Sequence, residues 1–524
     1  MSEISRPAAA VARRRFLTVA GAATALAFTV DFRGRDEARA GGAAPREDPY
    51  TLGIASGDPL PDSVVIWTRL APKPFEPLSG MDRRDVRVEW QVATDERFRN
   101  VVRRGVATAR YEYGHSVHVD VRGLRPGRHY YYRFKTGRWV SEVGRTRTAP
   151  AGRASALTFA FASCQYWADG YYTAHRHLAA EDPDVVLFLG DYIYEYGVAA
   201  AGGLRNVSMP VPSQFRTETD TLDRYRLQYA LYKSDPDLRE AHRVAPWIVT
   251  WDDHEVQDNY AGLVSKSNAP VEDFLVRRAN AYRAYWENLP LRTPQPQGPD
   301  MRLYRRFGYG DLADFTVLDT RQFRSDQAAG DGWDPDSAAR RDPTRTLIGD
   351  AQERWLTEGV RGSRATWNVV ASQVIMSQMD LDPTDGQLFN MDGWDGYQAQ
   401  QQRVLAALAG ASNPVVVTGD VHSSYAFDLK QDVAGPTIGT ELVGTSISSA
   451  GNGMEISPNG EKFLAANPHL KLVNERRGYV VCRLTPEELR ADYRVLPYVD
   501  RPGAPVSTLR SFVVEAGNPG LNLA

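Results

Sequence analysis

Four short blocks hold the residue types able to do hydrolytic chemistry. They are Ser163-Cys164-Gln165, Gly190-Asp191-Tyr192-Ile193-Tyr194, Trp251-Asp252-Asp253-His254-Glu255 and Gly419-Asp420-Val421-His422. A Gly-Asp pair alone is a turn signal, but here acids and histidines recur directly after apolar runs. Asp191, Asp252, Asp253 and Asp420 gathered at one place would repel one another without cations, so the set implies metal. Two metals bridged by a carboxylate could clamp a phosphate and ionise a bound water for in-line attack. Hydrolysis of a phosphate ester is the chemistry this combination supports.

The ligand types narrow the metal. From residue 151 onward there are six histidines, His175, His177, His242, His254, His422 and His469, and two of them fall in the blocks. Zinc prefers more imidazole or thiolate. Acid-rich ligation with a lone thiol and a tyrosine favours a hard cation, such as calcium, beside a metal that accepts anionic donors, such as ferric iron. Cys164 reads either as a ligand or as an inert buried thiol, and its place beside the other blocks favours ligation. Tyr192, Tyr194 and Tyr196 each read as donor or as packing. Asp252 reads as a further calcium ligand or a structural acceptor. Arg321 reads as a bidentate phosphate clamp or as half of an Asp319–Arg321 structural pair. His175 and His177 are expected on the outer face of a helix.

These blocks need a rigid frame. From Ala151, apolar β-like runs (157–162, 185–189, 247–250, 315–318, 368–372, 415–418) alternate with helical stretches (174–181, 222–233, 271–287, 351–362, 397–408). Alternation of this kind implies a largely parallel α/β sheet covered by helices. Such sheets bind ligands outside the carboxyl ends of their strands, where the four blocks fall. Later runs at 440–448, 478–484 and 488–496 lack long crossovers and imply an antiparallel or mixed second sheet. Cys482, within one of them, reads as a small buried residue.

Residues 46–150 have a different rhythm. Short runs rich in Val, Tyr, Trp and Ile (64–70, 86–93, 101–109, 129–135) are separated by Gly, Pro and Asp clusters. The segment from Gly123 to Arg133 resembles the tyrosine-corner region of a fibronectin-III-like sandwich. It holds no convergent acids or histidines, so a structural or gating β-domain is expected there.

The first forty residues read as an address. Arg13-Arg14-Arg15-Phe16-Leu17 is a twin-arginine pattern, an apolar stretch runs from Val19 to Val30, and Ala38-Arg39-Ala40 places small residues for cleavage after Ala40. Twelve apolar residues are too few to span a bilayer core of roughly 30 Å. The expectation is a secreted protein with no transmembrane segment, handled in transit by the twin-arginine export machinery, which moves folded proteins and so favours prior metal loading. Removing the leader takes seven basic and four acidic residues from totals of 62 and 65, leaving a net charge of −6. With no basic block, a stable nucleic-acid or anionic-membrane partner is not expected.

Taken in order, the blocks FASCQ (161–165), GDYIYEY (190–196), WDDHE (251–255), LDTRQFRSDQ (318–327) and GDVH (419–422) resemble those of the PhoD-type alkaline phosphatases. The resemblance covers nearly the whole chain after the leader. It implies a four-layer α/β/β/α metallophosphoesterase sandwich at 151–524, preceded by the smaller all-β domain at 46–150 and the signal peptide at 1–40. It also implies Fe3+ with Ca2+, and phosphate monoester, often diester, substrates. Carried onto this sequence, Asp191 bridges the metals, and Cys164, Tyr194 and His422 bind iron. Asp253 and Asp420 serve the calcium side. His254 contacts the transferring phosphoryl group or protonates the leaving oxygen. Two other readings are a phospholipase D-like phosphodiesterase on the same scaffold and an exported binding protein with a dead catalytic domain. A monomer is expected.

Overall fold

The computed structural model describes residues 44–524 apart from 206, 208, 209, 383 and 385, so the leader and its cleavage site lie outside the described residues. The apolar runs at 157–162, 185–189 and 246–250 form parallel strands at the centre of a ten-stranded sheet. Those at 313–317, 367–371 and 414–418 are also parallel, but they belong to a second, seven-stranded sheet. The single parallel sheet expected from the alternation is thus divided in two. The later runs part company as well: Thr437–Val443 joins the second sheet, whereas Gly478–Leu484 and Glu488–Val495 extend the first, antiparallel to Leu157–Ala162.

Side-chain alternation explains why two sheets form. Successive residues of a strand face opposite ways, and every residue of these central strands except Thr158 and Asp314 is buried. Phe159, Phe161, Leu187 and Leu189 from the first sheet share one core with Phe315, Val317, Val369, Val415 and Val417 from the second. On the other side of the first sheet, Val186, Phe188, Trp247 and Val249 pack with residues of helices α1 (Thr173–Ala180), α2 (Leu222–Lys233), α3 (Pro236–Val244) and α4 (Val271–Asn288). Val370 and Val416 of the second sheet pack instead on α5 (Gly349–Gly362) and α6 (Gln398–Leu408).

Helix starts follow local chemistry. Thr221 accepts the Arg224 amide at the head of α2, and Asp235 accepts two amides ahead of Pro236 at the head of α3. The helix α3 was not foreseen, because Asp235-Pro236 two residues after Lys233 reads as the end of one helix rather than the start of another.

Within the N-terminal segment, Val86–Ala93, Val101–Ala109 and His129–Thr136 form a separate antiparallel sheet. Tyr130 Oη accepts the Arg125 amide at 2.8 Å, the tyrosine-corner bond. Ile54–Leu60, Ser63–Arg69 and Ser116–Arg122 instead continue the ten-stranded sheet beyond Pro246–Thr250. Hydrogen bonding therefore runs across residue 150. Among the described residues no helix is long and apolar enough to cross a membrane.

Candidate metal centre

Each block leaves its strand at the same rim, and close backbone approach brings the loops together. Gly190 has φ 108°, and a Cβ there would lie 2.5 Å from Asp252 Cβ. A Cβ on Gly419 would lie 2.5 Å from Ser163 Oγ. Glycine is required at both contacts. The donors themselves sit in strained backbone: Cys164, Asp191, Asp420 and His422 have φ of 59°, 57°, 67° and 52°. Left-handed non-glycine residues cost about 1–3 kcal/mol each and cluster at functional sites.

Three groups of ligand atoms result, each within 4.8 Å: Cys164, Asp191 and His422; Asp191, Asp253 and His254; Asp252, Asp253 and Asp420. Asp191 is common to the first two and Asp253 to the last two, so the three form one chain. The Tyr194 hydroxyl donates to Asp191 Oδ2 at 2.9 Å and lies 3.0 Å from His422 Nε2. Tyr192 Oη, by contrast, lies 2.8 Å from His242 Nε2, away from this cluster. Asp191 Oδ1 is buried without a hydrogen-bond partner, and Asp253 Oδ1 has only the Arg321 guanidinium 3.5 Å away. A buried carboxylate oxygen with no donor needs a cation.

The electrostatics say the same. Burial, with Asp253, Asp252 and Glu255 close by, pushes the Asp191 carboxyl well above the usual range. Burial and Asp252 do likewise to Asp420. Burial raises the Cys164 thiol and the Tyr194 phenol, and Asp191 adds to both. His422 is pushed down to about 3, by burial and then Arg477. Burial opposes protonation of His254, but Asp253, Glu195 and Asp191 outweigh it and hold the imidazole above its ordinary value.

Arg321 does not pair through its side chain with Asp319, whose carboxylate accepts the Arg321 and Gln322 amides. Its fully buried guanidinium grips Asp252 (Nε–Oδ1 2.5 Å, Nη2–Oδ2 3.2 Å) and Asp392 (2.8 Å from each of Nη1 and Nη2). It also lies 3.5 Å from Asp253 and 3.8 Å from Asp420. All its reach is spent on carboxylates, and it grips Asp252 while that carboxylate also stands in the third ligand group.

Several participants escaped the sequence reading. Glu195 accepts from His254 Nδ1 at 2.8 Å and from the Asp258 amide at 2.7 Å. Glu255 accepts the amides of Asp191, Tyr192 and Asp252, tying two blocks together. Both lie inside quoted motifs, and their acid type was the available signal. Asp392, Ser449 and Arg477 come from loops without periodicity. His175 is a correction: it is buried, not on the outer face, with Nε2 2.7 Å from Gln165 Oε1, because α1 turns it toward Phe188 and Trp247. His177 is half-buried and bonds the Ala504 carbonyl. Cys482 is buried as expected, and both cysteines are free.

A family model described as PhoD-like phosphatase matches residues 159–493, and one described as its N-terminal domain matches residues 36–150. Alkaline phosphatase D of Bacillus subtilis (strain 168) is 47% identical over 523 residues, which span 97% of this chain and 88% of that protein. A solved structure of PhoD superposes with a TM-score of 0.88 at 47% identity, covering 92% of this chain and 93% of the other.

Proposed function

The chain belongs to the PhoD-like phosphatase family and is a phosphoric ester hydrolase, and from that premise we propose a specific division of labour among its rim residues. Asp191 is the bridging carboxylate, supported by its place in two ligand groups and its partnerless Oδ1. Cys164, Tyr194 and His422 complete a site for Fe3+, since a thiol, a phenol and an imidazole surround one carboxylate. Asp253 and Asp420 offer oxygens to Ca2+. Bound together, these ions would polarise the phosphate and lower the pKa of a bound water.

The protein side of the chemistry falls to His254. Its Nδ1 is fixed by Glu195, so Nε2 is the atom left to donate toward a phosphoryl or leaving-group oxygen. Tyr194 stacks on the imidazole with 4.1 Å between ring centroids and limits its rotation. Arg321 holds the Asp252 loop rather than the substrate. Glu255 keeps the Asp191 and Asp252 loops in register.

The four-layer α/β/β/α arrangement of residues 151–524 is part of the same proposal, supported by one core between the two sheets and one on each outer face. So are an all-β domain at 46–150, export by the twin-arginine route and release after Ala40, which rest on composition and motif. A monomeric state completes it.

The observation that carries the reading is Asp191, buried at the junction of two ligand groups. Elemental analysis of the exported protein, paired with rates on a phosphomonoester and a phosphodiester, tests it. Iron and calcium in the active protein are expected, with a visible charge-transfer colour from the phenolate or thiolate donor. Active protein free of iron would overturn the metal assignment.

A further inference from the structure

Arg477 follows the strand Leu470–Asn474 and is buried. Its Nη1 donates to the His422 carbonyl at 2.7 Å and to Ser446 Oγ at 2.7 Å, and Nη2 donates to the Glu475 carbonyl at 2.5 Å. Among the described residues no carboxylate pairs with it, and its Nε is buried without a partner. That makes it unlike Arg321, which is ringed by acids. A buried guanidinium with no carboxylate in contact favours a further anionic group nearby.

One of its acceptors is backbone of the centre itself, and another leads to it. The His422 carbonyl belongs to a residue in left-handed conformation whose Nε2 lies 3.0 Å from Tyr194 Oη. Ser446 Oγ in turn donates to the Ser449 carbonyl, and Ser449 Oγ donates to Tyr194 Oη at 2.8 Å. The Ser448 and Ser449 amides reach the Cys164 carbonyl. One guanidinium therefore joins the loops that present His422, Tyr194 and Cys164. Gly453 makes room for it: a Cβ there would lie 2.5 Å from Nη2. Glu475 and Asp169 are the carboxylates that face it, with Cys164 and Tyr194 as further titratable neighbours, and burial first of all brings its pKa down to about 10.

We propose that Arg477 is a positioning residue for the Cys164–Tyr194–His422 end of the centre, fixing the His422 and Ser446–Ser449 backbone and setting a positive charge beside the two donors that bind metal as anions. This rests on the iron assignment above. Outer-shell partners of this kind typically change metal affinity by about 10–100-fold.

The test compares the exported wild type with Arg477→Met, Arg477→Lys and Ser446→Ala, reading the visible band, the iron content after dialysis against a chelator, and the thermal midpoint. Arg477→Met is expected to lose iron about tenfold more readily and to shift the band. Arg477→Lys, which keeps the charge and loses the fork, should retain more iron than Arg477→Met, with a smaller band shift. Ser446→Ala should shift the band least, and it carries the test if Arg477→Met does not fold. A lowered thermal midpoint with band and iron retention unmoved in all three variants would overturn the role of Arg477 and leave the iron reading intact. A wild type with neither band nor iron would overturn the iron reading, and the proposal with it.

Discussion

The two ends of the rim handle buried charge in opposite ways. At the end with Cys164, Tyr194 and His422, the donors lean toward neutrality: burial raises the thiol and the phenol and lowers the imidazole to about 3. At the end with Asp252, Asp253, Asp392 and Asp420, burial also favours the neutral acids, yet Arg321 opposes it. Asp253 and Asp392 are held below the usual carboxylate range, Asp252 rises only to about 6, and Asp420, farthest from the guanidinium, stays well above it. One end has no cationic side chain among its donors, whereas the other carries Arg321 within reach of its acids. Under the proposed assignment, the first would suit a strongly polarising ion and the second a weakly polarising one.

The sharpest way to break this comparison is to remove the residue shared by both ends. Asp191→Ala deletes the carboxylate common to two ligand groups. Phosphatase kcat/KM is expected to fall by at least ~10³-fold, roughly 4 kcal/mol of transition-state stabilisation. Steady-state kinetics on a phosphomonoester checks it, with the thermal midpoint as a control for folding. Retained hydrolysis would mean the two ends do not work as one centre.

Next in size is Arg321→Met, which acts on the self-compensated end alone. Asp252 loses its guanidinium, and Asp392 keeps only Arg324 and Gln327. Breaking a buried ion pair on one side costs about 3–5 kcal/mol. Urea unfolding with and without a chelator measures it, and the loss should be greater in the chelated protein, where no metal ion shares the burden. An unchanged midpoint in chelator would show that Arg321 is not what keeps these acids charged.

A buried cation elsewhere separates the effect of burial from that of partners. Lys233 is buried over the rings of Trp67 (4.4 Å) and Tyr192 (5.3 Å), and burial, aided by Arg69, lowers its pKa from 10.5 to about 7. Arg321, equally buried but among carboxylates, is pushed the other way. Between about pH 7 and 10.5 the unfolded chain binds more protons at Lys233 than the folded one, so stability rises with pH across that window. The penalty is complete below pH 7 and gone above 10.5. Its upper bound is about 5 kcal/mol from the shift, reduced by about 2 for the cation–π contacts. Lys233→Met should therefore stabilise the protein by roughly 3 kcal/mol at pH 6 and by nothing at pH 10.5. Unfolding midpoints at the two pH values decide it.

How much of this was legible in the sequence depends on contiguity. Asp191 and Tyr194, Asp253 and His254, and Asp420 and His422 stand together in short blocks after apolar runs, so their convergence followed from strand ends alone. Which strands belong to which sheet did not, because Val185–Leu189 and Pro414–Thr418 are both buried throughout and nothing in either run says which neighbour it pairs with. Arg321 was noticed and read as either a phosphate clamp or a partner of Asp319, whereas its side chain grips Asp252 and Asp392, about 70 residues away on either side. Asp392 and Arg477 gave no signal: a single acid or base in an irregular loop acquires meaning only through the backbone it meets.

The smallest expected effect concerns how the two ends meet, at His254. Its Nε2 lies 3.9 Å from Asp253 and its ring stacks on Tyr194, so it borders both. Glu195 fixes it through Nδ1 from a position with 1% exposure, and the other Glu195 oxygen takes the Asp258 amide. Glu195→Gln keeps the shape and one hydrogen bond but removes the charge that favours a protonated imidazole. The expected result is a kcat lowered about tenfold with KM nearly unchanged, since in the proposed scheme Glu195 acts only by orienting His254. His254→Ala should lower kcat further, and adding Glu195→Gln to it should do almost nothing more, because the carboxylate acts through the imidazole it holds. If the two changes instead multiplied, Glu195 would have a role of its own, and the boundary between the two ends would run through both residues.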